Sequence, residues 1–286
     1  MERLIIIGPG RVGLSLGAAL VKVDAVGSLE YWGRSAEPPA HPLFLEGVAT
    51  YRHGLQRPPE GTTAVLLTVP DGVLAEMAEV LAARGAPPEG TPVLHCSGAL
   101  GADPLAALHV RGYHVGTIHP LQAVAHPLSG ADRLLGASYA ISGEPGALAA
   151  ARRLVGELGG RAITVPTARR PLYHAAAVLA SNYLVVLLKT AARLFEEAGA
   201  SPEEAEAALT ALARGTLENA AALGLDRALT GPVSRGDLDV VDLHLRTLKP
   251  EDRDLYALLG RRALEMARSR LDPDTAGSLD ELLRRH

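Results

Sequence analysis

Apolar and polar positions along residues 1–165 follow two alternating rhythms. Short, β-branched or apolar runs at 4–7, 28–32, 64–69, 92–95, 114–119, 139–142 and 162–165 read as strands. Between them, apolar residues recur at helical spacing over 12–21, 72–84 and 147–158, with a shorter helix opened by Asp103-Pro104 and stopped by Gly112. Asp71, just after the third run, reads as the cap of the helix that follows. Strands alternating with helices predict an α/β fold built on a doubly wound, mostly parallel sheet.

Past Pro166 the period-two signal disappears. Helices are expected over 171–198, 201–223, 238–248, 251–270 and 275–284, the second opened by the capping box Ser201-Pro202-Glu203-Glu204. The predicted organisation is therefore residues 1–166 as the α/β domain and 167–286 as an all-helical domain. Within the first long helix, residues 175–188 are apolar nearly all the way round, and such a helix must be buried on every side. A core shared between two copies would bury it, so a homodimer through the helical domain is expected. Ser181-Asn182-Tyr183 interrupts the run and leaves it too short to span a bilayer, so no membrane partner is expected.

Composition narrows the function classes. A formal charge of −4, with no basic run or aromatic platform, gives no footprint for nucleic acid. The single cysteine, Cys96, excludes an internal disulfide and fits a reducing cytoplasm, and its place at a strand end reads as a buried, inert thiol. The chain starts with a strand and not with a basic targeting segment, which also points to the cytoplasm. The ten histidines form no metal-ligand spacing, so no metal is expected.

The densest chemistry lies at the first strand-to-helix turn. Gly8-Pro9-Gly10-Arg11-Val12-Gly13 follows the apolar run directly, giving G-x-G-x-x-G in a strand–turn–helix context. Gly8 permits the tight turn, Gly10 lets backbone approach a pyrophosphate, and Gly13 lets the helix lie against the strand. The helix start then offers free N–H groups and a favourable dipole to phosphate. At the end of the second strand, the usual ribose-binding acid is absent, and Arg34-Ser35 follow Gly33. An arginine fork and a hydroxyl suit a 2′-phosphate, so the expected cofactor is NADP(H) in preference to NAD(H). Glu30 stands too early in its strand to replace the missing acid.

Ligands of open α/β sheets bind outside the carboxyl ends of the strands. Val69 and Pro70 should border the dinucleotide there, Ser97 should reach both cofactor and substrate, and His119 should reach substrate. The first long helix adds His174, Ser181 and Asn182, an unusual polar load for an apolar helix. At about 100° per residue Ser181 shares the face of His174, and Asn182 is turned away by roughly 80°. Lys189 reads as a solvated helix end, and Arg169 and Arg170 as a solvated linker placed where the helix dipole disfavours cations. In the loop 230–237, Arg235 could clamp a carboxylate, Asp237 either contacts substrate or caps the next helix, and His244 shares Asp237's helix face.

Taken together, GPGRVG, HCSGALG, IHPLQ, YHAAAVLASNY and LTGPVSRGD resemble the Rossmann-like proteins that carry a C-terminal domain of unknown function numbered 2520. The resemblance implies an NAD(P)-dependent oxidoreductase, with a Rossmann domain followed by a helical substrate and dimerisation domain. It is similar in architecture to pyrroline-5-carboxylate reductase, prephenate dehydrogenase and ketopantoate reductase. Hydroxyacid dehydrogenases of that architecture place a lysine and an asparagine on the first helix of the second domain. Here His174 stands near the lysine's place and Asn182 matches the asparagine loosely. The resulting expectation is an NADPH-dependent reductase of a small carbonyl or imine acid, a 2-keto acid such as ketopantoate first and a pyrroline-5-carboxylate-like imine second. In it His174 donates the proton, Asn182 and Ser97 polarise the carbonyl, and Arg235 holds the carboxylate. The alternative is a non-catalytic NADP(H)-binding sensor or dimeric scaffold.

Overall fold

The computed structural model describes residues 1–88 and 90–285. In the first part of the chain, strands β1 (Glu2–Ile7), β2 (Val26–Gly33), β3 (Thr50–His53), β4 (Ala64–Leu67), β5 (Pro92–His95), β6 (His114–Pro120), β7 (Ser138–Gly143) and β8 (Arg161–Thr164) alternate with helices α1 (Arg11–Lys22), α2 (Pro42–Leu45), α3 (Leu74–Ala82), α4 (Ala106–Val110), α5 (Pro127–Leu134) and α6 (Pro145–Glu157). Helices alone follow: α7 (Arg170–Ala180), α8 (Asn182–Glu197), α9 (Pro202–Leu223), α10 (Leu225–Ala228), α11 (Pro232–Arg235), α12 (Leu238–Thr247), α13 (Pro250–Ala267) and α14 (Pro273–Arg284). The chain divides into two compact units, Met1–Asn182 and Tyr183–His286. The boundary expected at 166/167 marks the last strand, but the first unit runs on through α7.

The eight strands form one sheet in the order β3-β2-β1-β4-β5-β6-β7-β8, parallel throughout except for β7 against β6. β1 lies between β2 and β4, with Ile7 opposite Trp32 on one side and Leu67 on the other. Its apolar run is continuous because both faces are covered. On one face Leu4 and Ile6 join Leu16 and Leu20 of α1, Leu134 of α5 and Leu154 of α6. On the other, Ile5 and Ile7 join Leu74 and Leu81 of α3 and Leu108 of α4. The second unit has its own core, where Val233, Val241, Leu245, Leu264 and Leu279 bring α11–α14 together.

Several expectations need correction. β3 and α5 carry no strong periodic signal and were not foreseen. Pro70, and not Asp71, occupies the cap position of a single 3₁₀ turn, Asp71–Val73, and no side chain caps it. The helix expected over 171–198 is broken: Ser181 (φ −118°, ψ −70°) ends α7, and α8 starts at the next residue. The shared face of His174 and Ser181 therefore does not follow from one continuous helix. The helical run Thr167–Glu197 is also longer than the apolar segment alone and, by length and composition, is long and apolar enough to cross a membrane. Within one copy of the chain this run is mostly uncovered, with Leu172 67% and Val185 66% exposed.

Glycines let α1 lie tightly on the sheet. A Cβ on Gly17 would stand 1.9 Å from the Tyr31 hydroxyl, which is buried and donates to the Gly13 carbonyl at 2.9 Å. Gly17→Ala should overpack this contact and destabilise the first unit by about 1–3 kcal/mol. Thermal denaturation should show a midpoint several degrees lower. Gly72→Ala, whose Cβ would meet nothing within 4 Å, should leave the midpoint near that of the parent.

Candidate active site

The turn between β1 and α1 is shaped for close approach. Gly8 has φ +104°, its N–H donates to the Trp32 carbonyl at 3.0 Å, and Gly10 N–H donates to the Gly8 carbonyl at 2.8 Å. Thr68 Oγ1 donates to the same carbonyl at 2.6 Å, tying the end of β4 to the turn. A Cβ on Gly13 would fall 2.4 Å from both the Gly8 carbonyl and Thr68 Oγ1, so only glycine fits. Beside Gly10 the space is open: a Cβ there would meet nothing within 4 Å. No side chain caps α1, and its first turn contains no acid. The orphan N–H groups at Arg11, Val12 and Gly13 therefore have no side-chain acceptor, and this donor set fits a pyrophosphate.

The second strand ends in a turn of fixed shape. Tyr51 Oη donates to the Ser35 carbonyl at 2.7 Å and lies where a Cβ of Gly33 would stand. Arg34 and Ser35 are exposed beyond it. Glu30, the acid of β2, accepts from Arg52 Nε at 2.6 Å, which neutralises it inside the sheet. The strand end thus presents a cation and a hydroxyl with no competing carboxylate of its own. Val69 and Pro70 follow β4 beside Gly8, and the Val69 side chain would stand 2.9 Å from a Cβ placed on Gly8.

A polar cluster occupies the carboxyl ends of β4, β5 and β6. His95 is fully buried, accepts from Ser97 N–H at Nδ1 (3.2 Å) and faces the Gly101 carbonyl with Nε2 (2.6 Å). Burial lowers its pKa, consistent with a neutral ring that clasps both ends of the 97–101 loop. Ser97 Oγ donates to Asp71 Oδ2 at 2.8 Å and accepts from Leu100 N–H at 3.1 Å. Its one proton is therefore committed, so in this geometry Ser97 orders the loop and does not polarise a carbonyl. Asp71, expected as a helix cap, is the acceptor that holds it. Cys96, expected as a buried and inert thiol, is half-buried, and burial of its sulfur pushes the thiol up to about 12, which disfavours the reactive thiolate.

Above this loop three side chains converge. His119 Nδ1 lies 2.7 Å from Tyr173 Oη. The His119 and His174 rings meet edge to face, 6.0 Å between centroids. Both lie over Gly98, whose Cβ would fall 2.5 Å from His174 Cδ2 and 2.9 Å from His119 Nε2. His119 is pushed down to about 4, first by burial and then by the charges of Arg170 and His174, with Asp71 opposing. No hydrogen bond engages the His174 ring among the described residues, so its nitrogens are available to a ligand.

Of the residues proposed from sequence, Ser97, His119 and His174 come together in this cluster. Ser181 and Asn182 are exposed at the α7–α8 break, outside the hydrogen-bond network of the cluster. Arg235, Asp237 and His244 belong to the second unit. Arg235 Nη2 pairs with Asp237 Oδ2 at 2.7 Å, and Asp237 stands at the cap position of α12 without a side-chain cap bond. His244 Nδ1 lies 2.8 Å from Tyr256 Oη. Gly98, Tyr173 and Arg170 were missed as site residues. Arg170 reverses its expectation outright: it is fully buried and donates to the Ser97 carbonyl at 2.5 Å and to Ser142 Oγ at 3.4 Å. The signal was present, because a cation at a helix N-terminus calls for an explanation.

Comparison with known proteins divides the chain earlier, between β6 and β7. Residues 2–120 match the model of a Rossmann-like domain, and residues 137–263 match a domain of unknown function, DUF2520. No curated protein matches the sequence. Among solved structures, protein TM1727 from Thermotoga maritima is similar over 93% of this chain and 99% of its own, at 23% identity and TM-score 0.74. A reductive aminase from Aspergillus terreus, in complex with NADPH and ethyl-5-oxohexanoate, is similar over 100% and 93%, at 19% identity and TM-score 0.58. A pyrroline carboxylate reductase from Plasmodium falciparum with NADP bound is similar over 99% and 96%, at 11% identity and TM-score 0.55. At these identities the likeness is one of fold. The chain thus joins a Rossmann-like domain to a DUF2520 domain.

Proposed function

We propose that the protein is an NADP(H)-dependent reductase of a small carbonyl or imine carboxylic acid. The observation that carries this reading is the β1–α1 turn: an uncapped, acid-free helix start with open space over Gly10, at the carboxyl edge of the sheet between β1 and β4. That edge is where the strand order reverses and where open α/β sheets bind nucleotides. Arg34 and Ser35 support the 2′-phosphate, and similar folds include two solved with NADP or NADPH. Bound there, NADPH supplies a hydride. His174 is assigned the proton delivered to the substrate oxygen or nitrogen, and Asn182 the orientation of the reacting bond. Arg235 could hold a carboxylate only by exchanging its partner Asp237, so it is left outside the central mechanism. A 2-keto acid is the first substrate class to test. A cyclic imine acid is the second, and the likeness to a pyrroline carboxylate reductase favours including it.

The same reading includes a homodimer. The uncovered apolar side chains of α8 and α9, among them Val185, Val186, Leu212 and Leu217, form a surface that one copy leaves in water. A second copy would cover it, and the break at Ser181 with exposed Asn182 and Lys189 argues against a bilayer. Light scattering after size exclusion in detergent-free buffer should give the mass of a dimer. Val185→Glu should shift it toward a monomer. Material that disperses only in detergent would overturn this part of the reading.

Nicotinamide fluorescence on titration should show NADPH binding more tightly than NADH. Arg34→Ala should remove that preference, weakening NADPH about tenfold to a hundredfold, the worth of charge-assisted hydrogen bonds. Gly10→Ala should weaken both nucleotides while leaving thermal stability unchanged. Binding of neither nucleotide would refute the reductase reading.

In a panel of 2-keto acids and cyclic imine acids, NADPH oxidation should identify a substrate. On that substrate His174→Ala should lower kcat by about 10²–10⁴-fold with the NADPH dissociation constant unchanged. Unaltered turnover would remove His174 from the mechanism. Tight NADPH binding with no hydride consumed across the panel would instead favour a sensor.

A further inference from the structure

Arg170 is the most costly residue in the first unit. Its guanidinium is fully buried, forms no ion pair among the described residues, and its Nε has no acceptor. It also opens α7, where the helix dipole disfavours a cation. A buried charge with no ion-pair partner in contact is costly, Asp71 acting on it only from a distance, so its contacts must matter elsewhere. Those contacts are specific. Nη2 holds the Ser97 carbonyl, Nη1 reaches Ser142 Oγ, and Cζ lies 5.9 Å from the centre of the Tyr173 ring. The first bond fixes the residue before Gly98, the floor on which the two histidine rings meet.

We propose that Arg170 is a positioning residue of the site. It clamps the Ser97–Gly98 turn beneath His119 and His174 and sets a fixed positive charge close to the His119 ring. The proposal rests on the reductase reading for its purpose, but not for its test. The 2.7 Å contact between Tyr173 Oη and His119 Nδ1 ties that ring to α7, with the donor set by the histidine tautomer. The groups that face His119 are Arg170, Tyr173 and His174 from α7 and Asp71 from the turn after β4. His95 and Cys96, at the end of β5, lie within the field of the same guanidinium. One carboxylate, already engaged by Ser97, stands against a permanent cation and a second histidine. The depression of His119 to about 4 agrees.

The sign of the resulting pH dependence follows. A histidine that titrates near 4 when folded and near its ordinary value when unfolded takes up protons preferentially in the unfolded chain. Its contribution is fully present above about 6.5 and is lost as the pH falls toward 4.

Histidine side-chain NMR on the full chain, without cofactor or substrate, tests the proposal directly. The His119 signal is assigned by its loss in His119→Gln. In the parent protein and in Arg170→Lys it should remain neutral down to about pH 5. In Arg170→Gln its midpoint should rise by at least about half a pH unit, and by more than in His174→Ala. A parent midpoint in the ordinary range near 6.5 would overturn the proposal. So would an unmoved midpoint in folded Arg170→Gln, or a larger rise in His174→Ala. If Arg170→Gln does not fold, Arg170→Lys decides: retention of the low midpoint supports the charge, and a rise to the ordinary range sinks it. Because no nucleotide enters the measurement, its failure is distinguishable from failure of the reductase reading.

Discussion

Close backbone approach between β1 and α1 is the constraint on which the first unit depends. Gly13 lets the helix touch the Gly8 carbonyl and Thr68, and Gly17 leaves room for the Tyr31 hydroxyl. With those two positions small, α1 lies flat on the sheet and its uncapped start faces the carboxyl edge between β1 and β4. The Tyr31 bond to the Gly13 carbonyl locks β2 to the same helix, so the end of β2, with Arg34, is held in register with the glycine turn. Packing requirements and ligand geometry are thus met by the same few residues.

A second constraint operates at the ends of β5 and β6. The 97–101 loop packs Leu100 against the core and is tied down by polar groups: His95 at both ends, Asp71 through Ser97, and Arg170 from α7. His95 and Arg170 are costly to bury, and the network satisfies most of their donors, Arg170 Nε excepted. The loop acquires a single shape, and Gly98 opens the space above it for two imidazoles. The loop thus gives the two imidazoles a fixed floor, while the His174 ring is left without a hydrogen-bond partner among the described residues.

Legibility followed the strength of local signals. β1, β4 and β5 are buried on both faces and read as apolar runs, and the glycines of the first turn have steric meaning that a sequence displays. β3 (Thr-Tyr-Arg-His) is a short polar edge strand whose only pairing is to β2, so nothing local announces it. α5 contains Ser129 and Gly130 and draws its stability from contact with α1, as where Gly130 meets Ser15. The break at Ser181 interrupts a segment whose apolar periodicity is strong on both sides, and periodicity cannot show it. Ser97, His119 and His174 were recognisable because polar groups at strand ends or on an apolar helix are unusual. Arg170 offered only its awkward place at a helix N-terminus, since exposure is the ordinary fate of an arginine and its burial depends on elements far apart in sequence.

The two kinds of anomaly in α7 and α8 have different remedies. An uncovered apolar surface raises the free energy of a single copy in water, and that cost falls away once another apolar surface covers it. A buried guanidinium raises the free energy of the unit itself, and association elsewhere on the surface does not relieve it. The first anomaly therefore points outward, to assembly. The second points inward, to the polar loop that Arg170 holds and to the His119 ring beside it. One helical segment can serve both purposes because the charge is confined to its first turn, while the apolar side chains lie further along it.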